Sequence, residues 1–502
     1  MNTSDAVSIR PFLKSLPESD PGPIGFGANT KPTYTTDQAA KQITRDNQRF
    51  HDRHGDKKVD LSYTVDPSFT PQQQRRVHDA VQSWQDVANI TFKERASGVD
   101  GTVNIKNNRR GEGGVATLPT RSTSSTSATI GTRRAGGSPA LGSHFSVTTV
   151  HEIGHAIGLQ HPGNYNGGGS SYNRGAVYAG DTKARSVMSY WSEKNQSGQD
   201  FQGLSPSAPM MDDIAAAQRL YGANHQTRNT DTTYGFNSNT EREAMTLKSA
   251  SDKPIFCVWD GGGDDTLDFS GFSQNQTINL NAESFSDVGG LKGNVSIAKG
   301  CLVENAIGGK GNDLLIANQG GCRLKGGAGG DTLRCGGGAD VCTYDKASDS
   351  TPQNPDLIEN FTSGSDKIDV SGVLKEAGVS GLVFTDRFSG RAGEAILKHD
   401  AATGRSSLEI DLKGSGTGDF LVRGIGEIKP WDVQWQRQKP NVQPVPNVVP
   451  QPAPEPSPTP PVDVKPDLLS QLSERVAKTL SALLQLIQRL AKRSSSSTPN
   501  IR

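Results

Sequence analysis

Three histidines in the first third of the chain have the spacing of ligands to one catalytic metal ion. Residues 147–162 read VTTVHEIGHAIGLQHP. His151 and His155 are four residues apart, so on a helix both imidazoles project from one face toward one ion. Gly158 can end this helix and turn the chain, so that His161 arrives as a third ligand. Three neutral imidazoles leave one position of a zinc ion open, as catalytic zinc sites do.

Glu152 directly follows the first of these histidines and is the candidate general base. Its carboxylate can reach a water molecule in the open position and accept a proton from it. The alternative is three unrelated histidines, but the odds of this full pattern arising by chance are roughly 10⁻⁵ in such a chain. The pattern therefore predicts a catalytic zinc site.

The residues that precede the histidines are predicted to form a mixed α and β framework. Apolar periodicity predicts helices over Thr36–Phe50 and Thr70–Ala88. Short β-prone runs follow at Ile90–Phe92 and Thr102–Ile105. Residues 119–146 are rich in Ser, Thr, Gly and Arg, so we expect a flexible or irregular stretch before the zinc helix.

Glycine, of which the chain has 57 among 502 residues, is concentrated in a region with a nine-residue repeat. From Gly308 the sequence reads GGKGNDLLI, ANQGGCRLK, GGAGGDTLR and CGGGADVCT. These units follow the template GGxGxDxUx of calcium-binding turns, in which glycines allow tight turns and aspartate supplies a hard oxygen. Because calcium should bridge alternate turns, we expect the first unit to pair with the third and the second with the fourth.

The first pair of units keeps the pattern, and the second pair departs from it. The predicted calcium-binding positions of the first pair are Gly309, Gly311, Asp313, Gly326, Gly327, Gly329 and Asp331. In the second pair Ala317 and Asn318 replace two glycines, Cys322 takes an aspartate position, and Cys335 replaces a leading glycine. We expect one good calcium site in the repeats and one weak or absent site.

All five cysteines lie in or near the glycine-rich region, at positions 257, 301, 322, 335 and 342. They are too few and too oddly numbered for a disulfide framework. Cys342 occupies a buried apolar position and is expected to act as a small hydrophobe. Cys322 and Cys335 sit at turn positions where a disulfide could form, and a structural origin is favoured over a redox function.

The composition excludes several classes of protein. The 53 basic and 53 acidic residues balance, which argues against a nucleic-acid-binding protein. No apolar run reaches the ~18 residues of a membrane span, and the N-terminus lacks the apolar segment of a Sec signal peptide. Beyond a proline-rich stretch, residues 467–493 predict one amphipathic helix, which either packs or self-associates or else docks a partner.

The motif HEIGHAIGLQHP, followed by SVMSYW at Ser186–Trp191, resembles the metzincins. Tyr190 matches their serralysin branch, and the resemblance continues through TTDQAAKQITR, QSWQDVANITF, MMDDIAAAQRLYGAN, YGFNSNT and FSDVGGLKGNVSIAKG. It covers about residues 30–435. The chain is similar to serralysin-type secreted zinc proteases, which implies an α+β metzincin catalytic domain followed by an all-β parallel β-roll/β-sandwich domain.

The resemblance also implies roles for individual residues. One zinc ion would be held by His151, His155, His161 and, in the resting enzyme, Tyr190. Glu152 and Tyr190 would be catalytic, Met188 would pack beneath the metal, and substrate would lie along an edge strand at Val115–Pro119. Several calcium ions would be bound, at the repeats and at Arg228, Thr230, Thr232, Asp260, Gly262, Gly263, Asp265, Leu302 (through its carbonyl) and Glu304.

The predicted domain organisation has five parts. They are a propeptide-like segment at 1–30, a zinc metalloprotease domain at 31–245, a calcium-binding domain at 246–435, a proline-rich linker at 436–466, and an amphipathic helix with a polar tail at 467–502. The family-like sequence stops near Trp435 and about 67 residues follow. This extension leaves type III injection as an alternative to the type I-like export of the family.

The resulting expectation is an exported, extracellular bacterial zinc endopeptidase that hydrolyses protein substrates, calcium-stabilised and serving virulence or nutrient acquisition. One alternative is a calcium-dependent binding or adhesion protein with a weak zinc site. The other is a protease effector delivered into host cells.

Overall fold

The computed structural model describes residues 31–120 and 122–436. The predicted N-terminal segment, most of the proline-rich linker and the terminal amphipathic helix lie outside the described residues. None of the helices in the described part of the chain has the length and apolarity needed to cross a bilayer.

The first half of the described chain has a mixed sheet covered by helices. Its elements are α1 (Thr36–Ile43), β1 (Val59–Val65), α2 (Pro71–Val87), β2 (Ile90–Glu94), β3 (Gly101–Asn108), β4 (Gly114–Ala116), β5 (Ser125–Gly131), α3 (His144–Ala156), α4 (Tyr172–Gly175) and α5 (Met211–Tyr221). The strand order is β2-β1-β3-β5-β4. All neighbours are parallel except β4, which runs antiparallel to β5 at the edge.

Helix α2 confirms the predicted helix and connects the core to the zinc helix. Thr70 and Gln73 form a capping box at its start, and Pro71 occupies the first turn, where no donor is needed. The fully buried Trp84 donates its indole N–H to the Val150 carbonyl of α3 at 3.0 Å. This contact fixes α3 against the core.

The predicted helix over Thr36–Phe50 is shorter than expected. Helix α1 ends at Ile43, because the Thr44 hydroxyl turns back to the Ala40 carbonyl at 2.7 Å and Asn47 has a φ of +49°. A residue with positive φ interrupts a right-handed helix. The chain therefore leaves the helix seven residues before the predicted end.

The expectation of an irregular stretch over residues 119–146 is wrong in two places. Residues Ser125–Gly131 form β5 between β3 and β4, and α3 begins at His144. The side chains of Thr126, Ala128 and Ile130 alternate into the core, so small and β-branched residues build a strand despite the polar composition.

The second half of the described chain is built almost wholly from short strands. They are β6 (Thr233–Gly235), β7 (Phe256–Val258), β8 (Thr266–Asp268), β9 (Thr277–Asn279), β10 (Phe285–Ser286), β11 (Val295–Ile297), β12 (Asn305–Ile307), β13 (Leu314–Ile316), β14 (Arg323–Lys325), β15 (Thr332–Arg334), β16 (Val341–Thr343), β17 (Asp356–Glu359), β18 (Lys367–Asp369), β19 (Val383–Phe384), β20 (Glu394–Asp400), β21 (Arg405–Asp411), β22 (Phe420–Ile425) and β23 (Val433–Gln434), with helix α6 (Ser371–Ala377) between β18 and β19.

Two sheets dominate this half and take successive strands alternately. One has the order β23-β18-β16-β14-β12-β8-β6, and the other has the order β19-β20-β21-β22-β17-β15-β13-β9. Pairing is parallel through the repeats and becomes antiparallel only among β20, β21 and β22. The α+β half followed by a parallel β-roll confirms the expected fold class.

The repeats pair as predicted. Strand β13 of the first unit pairs with β15 of the third, and β14 of the second pairs with β16 of the fourth. Each strand buries one central side chain, namely Leu315, Leu324, Leu333 and Cys342, all at 0% exposure. Cys342 therefore takes the place of an apolar residue.

Strand β6 marks where the sheets of the second half begin. It pairs with β8 in parallel, so residues 233–235 belong to the first roll sheet. The predicted domain boundary between residues 245 and 246 thus falls after the first strand of that sheet.

The single buried side chain of each repeat predicts the stability of the roll. We expect Leu324→Ala to lower the free energy of unfolding by about 2–5 kcal/mol, because it leaves a cavity in a core with few apolar atoms. Guanidinium unfolding of the calcium-loaded protein measures the change. Val383→Ala, at a 65% exposed position, is the control and should change it little; equal effects of the two variants would contradict this account.

Candidate active site

The three histidines converge because a helix ends at a glycine. His151 and His155 lie on α3, and the chain reverses at Gly158, whose φ is +113°. A Cβ at this position would lie 1.9 Å from the Gln48 carbonyl oxygen, so only glycine allows the turn. The turn brings His161 back to the two helical histidines.

The ring nitrogens of the three histidines face one point. The Nε2 atom of His161 lies 3.1 Å from Nε2 of His151 and 3.0 Å from Nε2 of His155. The opposite Nδ1 atom of each ring lies 2.7–2.8 Å from a backbone carbonyl oxygen, of Val187, Leu159 and Tyr165 respectively. Each carbonyl accepts the Nδ1 proton and leaves an Nε2 lone pair directed at the common point.

Burial keeps the three imidazoles neutral. Desolvation lowers the pKa of His155 to about 4 and of His161 to about 3, and it lowers the pKa of His151 well below its usual value. Three lone pairs that face one another repel unless a cation lies between them. Three nitrogens at about 2.0–2.1 Å from a tetrahedral zinc ion would be roughly 3.3 Å apart, close to the observed spacing. The residues present therefore fit zinc.

Glu152 lies beside this point in a dry environment. It is 5% exposed, and its Oε2 atom has no hydrogen-bond partner among the described residues. Burial raises the pKa of Glu152 to about 8. A cation at the histidines would favour the charged carboxylate, which could then accept a proton.

Tyr190 and Met188 take the positions that the family resemblance implies. The Tyr190 ring lies 4.5 Å from the His161 ring and 5.7 Å from the His151 ring, between centroids, and is 38% exposed. Met188 is fully buried, with its sulfur 2.7 Å from where a Cβ on Gly154 would lie. Tyr190 thus stands at the solvent side of the triad, and Met188 packs beneath α3.

Of the predicted substrate strand at Val115–Pro119, only Val115 and Ala116 lie in a strand, β4, which forms an edge of the sheet next to Glu152. Strand β4 covers Gly114–Ala116 and pairs only with β5, and the Val115 side chain is 66% exposed. A Cβ on Gly114 would lie 2.5 Å from Oε1 of Glu152. An extended peptide added to this edge would pass beside the carboxylate.

Asp213, which the sequence analysis did not single out, holds the segment behind His151. Its carboxylate accepts hydrogen bonds from the Ser186 hydroxyl at 2.6 Å, the Val187 N–H at 2.7 Å and the Met210 N–H at 2.8 Å. The Val187 carbonyl in turn accepts from His151. Burial raises the pKa of Asp213 to about 7, so its ionised form depends on these donors.

The predicted calcium residues that precede the repeats come together from three loops. Asp265 accepts from the Thr232 N–H and donates its own N–H to Glu304, both at 2.8 Å. A Cβ on Gly263 would lie 2.5 Å from the carbonyl carbon of Thr230, so the first two loops touch. Burial and the neighbouring Asp260 raise the pKa of Asp265 to about 9.

The remaining members of this group offer mainly backbone atoms. The Gly262 N–H donates to Asp260 at 2.7 Å, and the Leu302 side chain is 42% exposed. The Arg228 guanidinium is bound to Asp86 at 2.9 Å and to the Trp259 carbonyl at 2.6 Å, so Arg228 could offer an ion only its carbonyl. These donors suit calcium, which prefers carboxylate and carbonyl oxygens.

The first and third repeat units stack turn on turn. A Cβ on Gly327 would lie 2.2 Å from the Gly309 oxygen, and a Cβ on Gly329 would lie 2.2 Å from the Gly311 oxygen. The predicted glycines are therefore required by close backbone approach.

The aspartates of these units form an acidic ladder, in which each aspartate side chain accepts from the backbone N–H one turn earlier. Gln276 donates to Asp313 at 2.8 Å, Asp313 donates to Asp331 at 2.7 Å, and Asp331 donates to Asp356 at 2.8 Å. The Oδ2 atom of Asp331 is buried without a partner in the described part of the chain, and a Cβ on Gly326 would lie 2.1 Å from it. Asp356 was not predicted, although it begins the short strand β17 much as Asp331 directly precedes β15.

A second acidic ladder follows the other side of the roll and is interrupted at Cys322. Cys322 donates its N–H to Asp340 at 2.7 Å, and Asp340 donates to Asp366 at 3.0 Å. All five cysteines are buried and free, so the Cys322–Cys335 disulfide that the sequence left open is not formed. The Cys322 sulfur instead accepts the Asn318 N–H at 3.3 Å, as an aspartate would.

Comparison with known proteins agrees with this arrangement. A family model described as peptidase M10 serralysin C terminal matches residues 223–433, and one described as metallo-peptidase family M12B reprolysin-like matches residues 87–213. The metallopeptidase AprA of Pseudomonas marginalis is 46% identical over 81% of this chain and 92% of its own length. Serralysin C of Dickeya chrysanthemi is 43% identical over 80% and 91%.

The chain belongs to the serralysin family. As a serralysin it is a zinc metalloendopeptidase, which confirms the predicted enzyme class and implies protein substrates. The histidine triad is the group of described residues that fits the zinc of this family.

The contacts of Asp213 predict that it supports zinc binding without being a zinc ligand itself. We expect Asp213→Asn to weaken zinc affinity about 10–100-fold, because the Val187 segment that orients His151 loses its acceptor. Competition with a chromophoric chelator measures the affinity. The exposed Asp56→Asn is the control, and unchanged zinc affinity in a folded Asp213→Asn protein would contradict this positioning role.

Proposed function

We propose that this serralysin is an exported, calcium-stabilised endopeptidase in which Glu152 activates water at a zinc ion held by His151, His155 and His161. The observation that carries the proposal is the convergence of three neutral imidazoles on one point beside a buried carboxylate oxygen that has no hydrogen-bond partner within residues 31–120 and 122–436. This arrangement of residues is suited to hydrolysis, and a purely structural role would not require it.

The proton transfers fall to Glu152. Zinc, when bound, supplies a Lewis acid that polarises the scissile carbonyl and makes water acidic. The Glu152 carboxylate accepts the proton of the attacking water and then delivers it to the nitrogen of the leaving amine. Its burial favours the first of these steps, because a desolvated carboxylate is the stronger base.

Tyr190 and strand β4 have the positioning roles. The Tyr190 hydroxyl oxygen would be a zinc ligand in the resting enzyme, and the partial exposure of the side chain would let it move and donate a hydrogen bond to the developing oxyanion. Substrate adds to the free edge of β4 and takes its main-chain hydrogen bonds from the strand. Because the backbone supplies these contacts, many substrate sequences are accepted.

Calcium and export are linked through the acidic ladders. Burial raises the pKa of Asp331 to about 7 and, with the adjacent Asp331 charge, raises the pKa of Asp356 to about 9. These carboxylates are costly to bury without a cation. A roll of this kind folds when calcium is supplied, which suits a protein that crosses the bacterial envelope unfolded and folds outside. A type I-like exporter fits this order of events.

The role of Glu152 is tested by removing its proton acceptor without changing its shape. We expect Glu152→Gln to lower kcat/KM on casein about 10²–10⁴-fold while the zinc content stays unchanged. The exposed Glu94→Gln is the matched control. Full activity in Glu152→Gln, or no activity in zinc- and calcium-loaded wild type, would refute the proposed mechanism.

The first acidic ladder predicts a specific loss of calcium. Asp331→Asn should reduce the calcium bound per chain in isothermal titration, because the substitution removes a buried anionic oxygen from the stacked turns. Asp386→Asn, at an exposed position, should leave the stoichiometry unchanged. The same stoichiometry in both variants would show that Asp331 is not a ligand.

A further inference from the structure

The first position of a repeat unit faces the aspartate of the same unit. A Cβ on Gly308 would lie 2.6 Å from Asp313 Oδ2, and a Cβ on Gly326 would lie 2.1 Å from Asp331 Oδ2. In the fourth unit this position holds Cys335. The side chain of Cys335 therefore lies beside the carboxylate of its own unit, Asp340.

The fourth unit gathers three potential metal ligands in a dry site. The sulfur of Cys335 and carboxylate oxygens of Asp340 and Asp366 lie within 4.8 Å of one another, and the residues are 3%, 0% and 1% exposed. Backbone N–H groups orient both carboxylates: Gly336 donates to Asp340 at 2.6 Å and Thr362 donates to Asp366 at 2.7 Å. The carboxylates keep lone pairs for a further partner.

A second thiol lies next to the first. Cys342 is fully buried on β16 and lies close enough to Cys335 to affect its thiol electrostatically. This contact and burial raise the pKa of the Cys335 thiol far above its usual range.

The donor set favours a different kind of ion from the one expected at the other turns. Calcium takes six to eight hard oxygen ligands, whereas zinc and cadmium accept thiolate together with carboxylate at a coordination number of about four. Zinc–sulfur and zinc–oxygen bonds of about 2.3 and 2.1 Å place sulfur and oxygen roughly 3.6 Å apart. The ligand atoms of the cluster lie within 4.8 Å of one another, so binding of an ion would draw them closer by up to about 1.2 Å.

We propose that Cys335, Asp340 and Asp366 form a second zinc-type site, separate from the histidine triad, with Cys342 as the adjacent sulfur. The Cys335 thiol releases its proton to solvent as the sulfur–metal bond forms. The site joins the fourth repeat to the turn before β18, where the second acidic ladder would otherwise bring two carboxylates together uncompensated.

Cadmium titration of the full-length protein, with calcium and catalytic zinc present, tests the site. Sulfur bound to cadmium gives an ultraviolet charge-transfer band, and the histidine triad with Tyr190 has no sulfur ligand, so the band reports cysteine. We expect a saturable band in wild type, its loss in Cys335→Gly, and its retention in Cys257→Ala. Cys335→Gly restores the residue of Gly308 and Gly326 and so suits the turn.

A second variant keeps the test independent of that substitution. Asp366→Asn should lower cadmium affinity about tenfold or more while leaving both thiols in place. The proposal is overturned if wild type gives no band, if the band persists in Cys335→Gly, or if Asp366→Asn leaves the affinity unchanged. It is also overturned if intact-mass measurement of the unreduced protein finds a Cys335–Cys342 disulfide.

Discussion

Both halves of this protein depend on one constraint. In each half, electron-rich atoms are buried facing one another without a counter-charge. Three imidazole lone pairs meet beside Glu152, and carboxylates such as Asp331 stack along the roll. Each arrangement is unfavourable in a dry protein by itself, and a cation makes it favourable. Under the proposed function, binding of zinc and calcium therefore contributes to the folding free energy in both halves, and only the zinc takes part in the chemistry.

The two halves hold their ligands by different means. The histidines are oriented by carbonyls of three separate segments, at Val187, Leu159 and Tyr165, so their geometry depends on long-range packing and on Asp213 behind Val187. The roll needs no such support. Its parallel strand register sets each carboxylate one turn from the next, so ligand spacing follows from the backbone itself.

Local spacing explains what could be predicted, and long-range contact explains what could not. Helical geometry and the turn at Gly158 suffice to assemble the triad, and the repeat period suffices to pair alternate units. Asp213 carries no local signal because two of its three partners, Ser186 and Val187, are distant in sequence. Asp356, in contrast, follows an Asp-x-apolar pattern that continues beyond the four repeat units. Residues Ser125–Gly131 form a strand despite their loop-like composition, because pairing and packing with the neighbouring strands stabilise it.

The cysteines of the roll indicate that its backbone shape and its preferred metal ion depend on different features. The Cys322 sulfur accepts the Asn318 N–H, as Asp313 accepts the Gly309 N–H, and the Cys322 N–H still donates to Asp340. The hydrogen bonds that shape each turn therefore survive the exchange of oxygen for sulfur. The metal preference of the turn changes with this exchange, because it depends on the softness of the donor atom rather than on the path of the backbone. A repeat unit can thus keep its backbone fold while the metal ion that its side chains prefer changes.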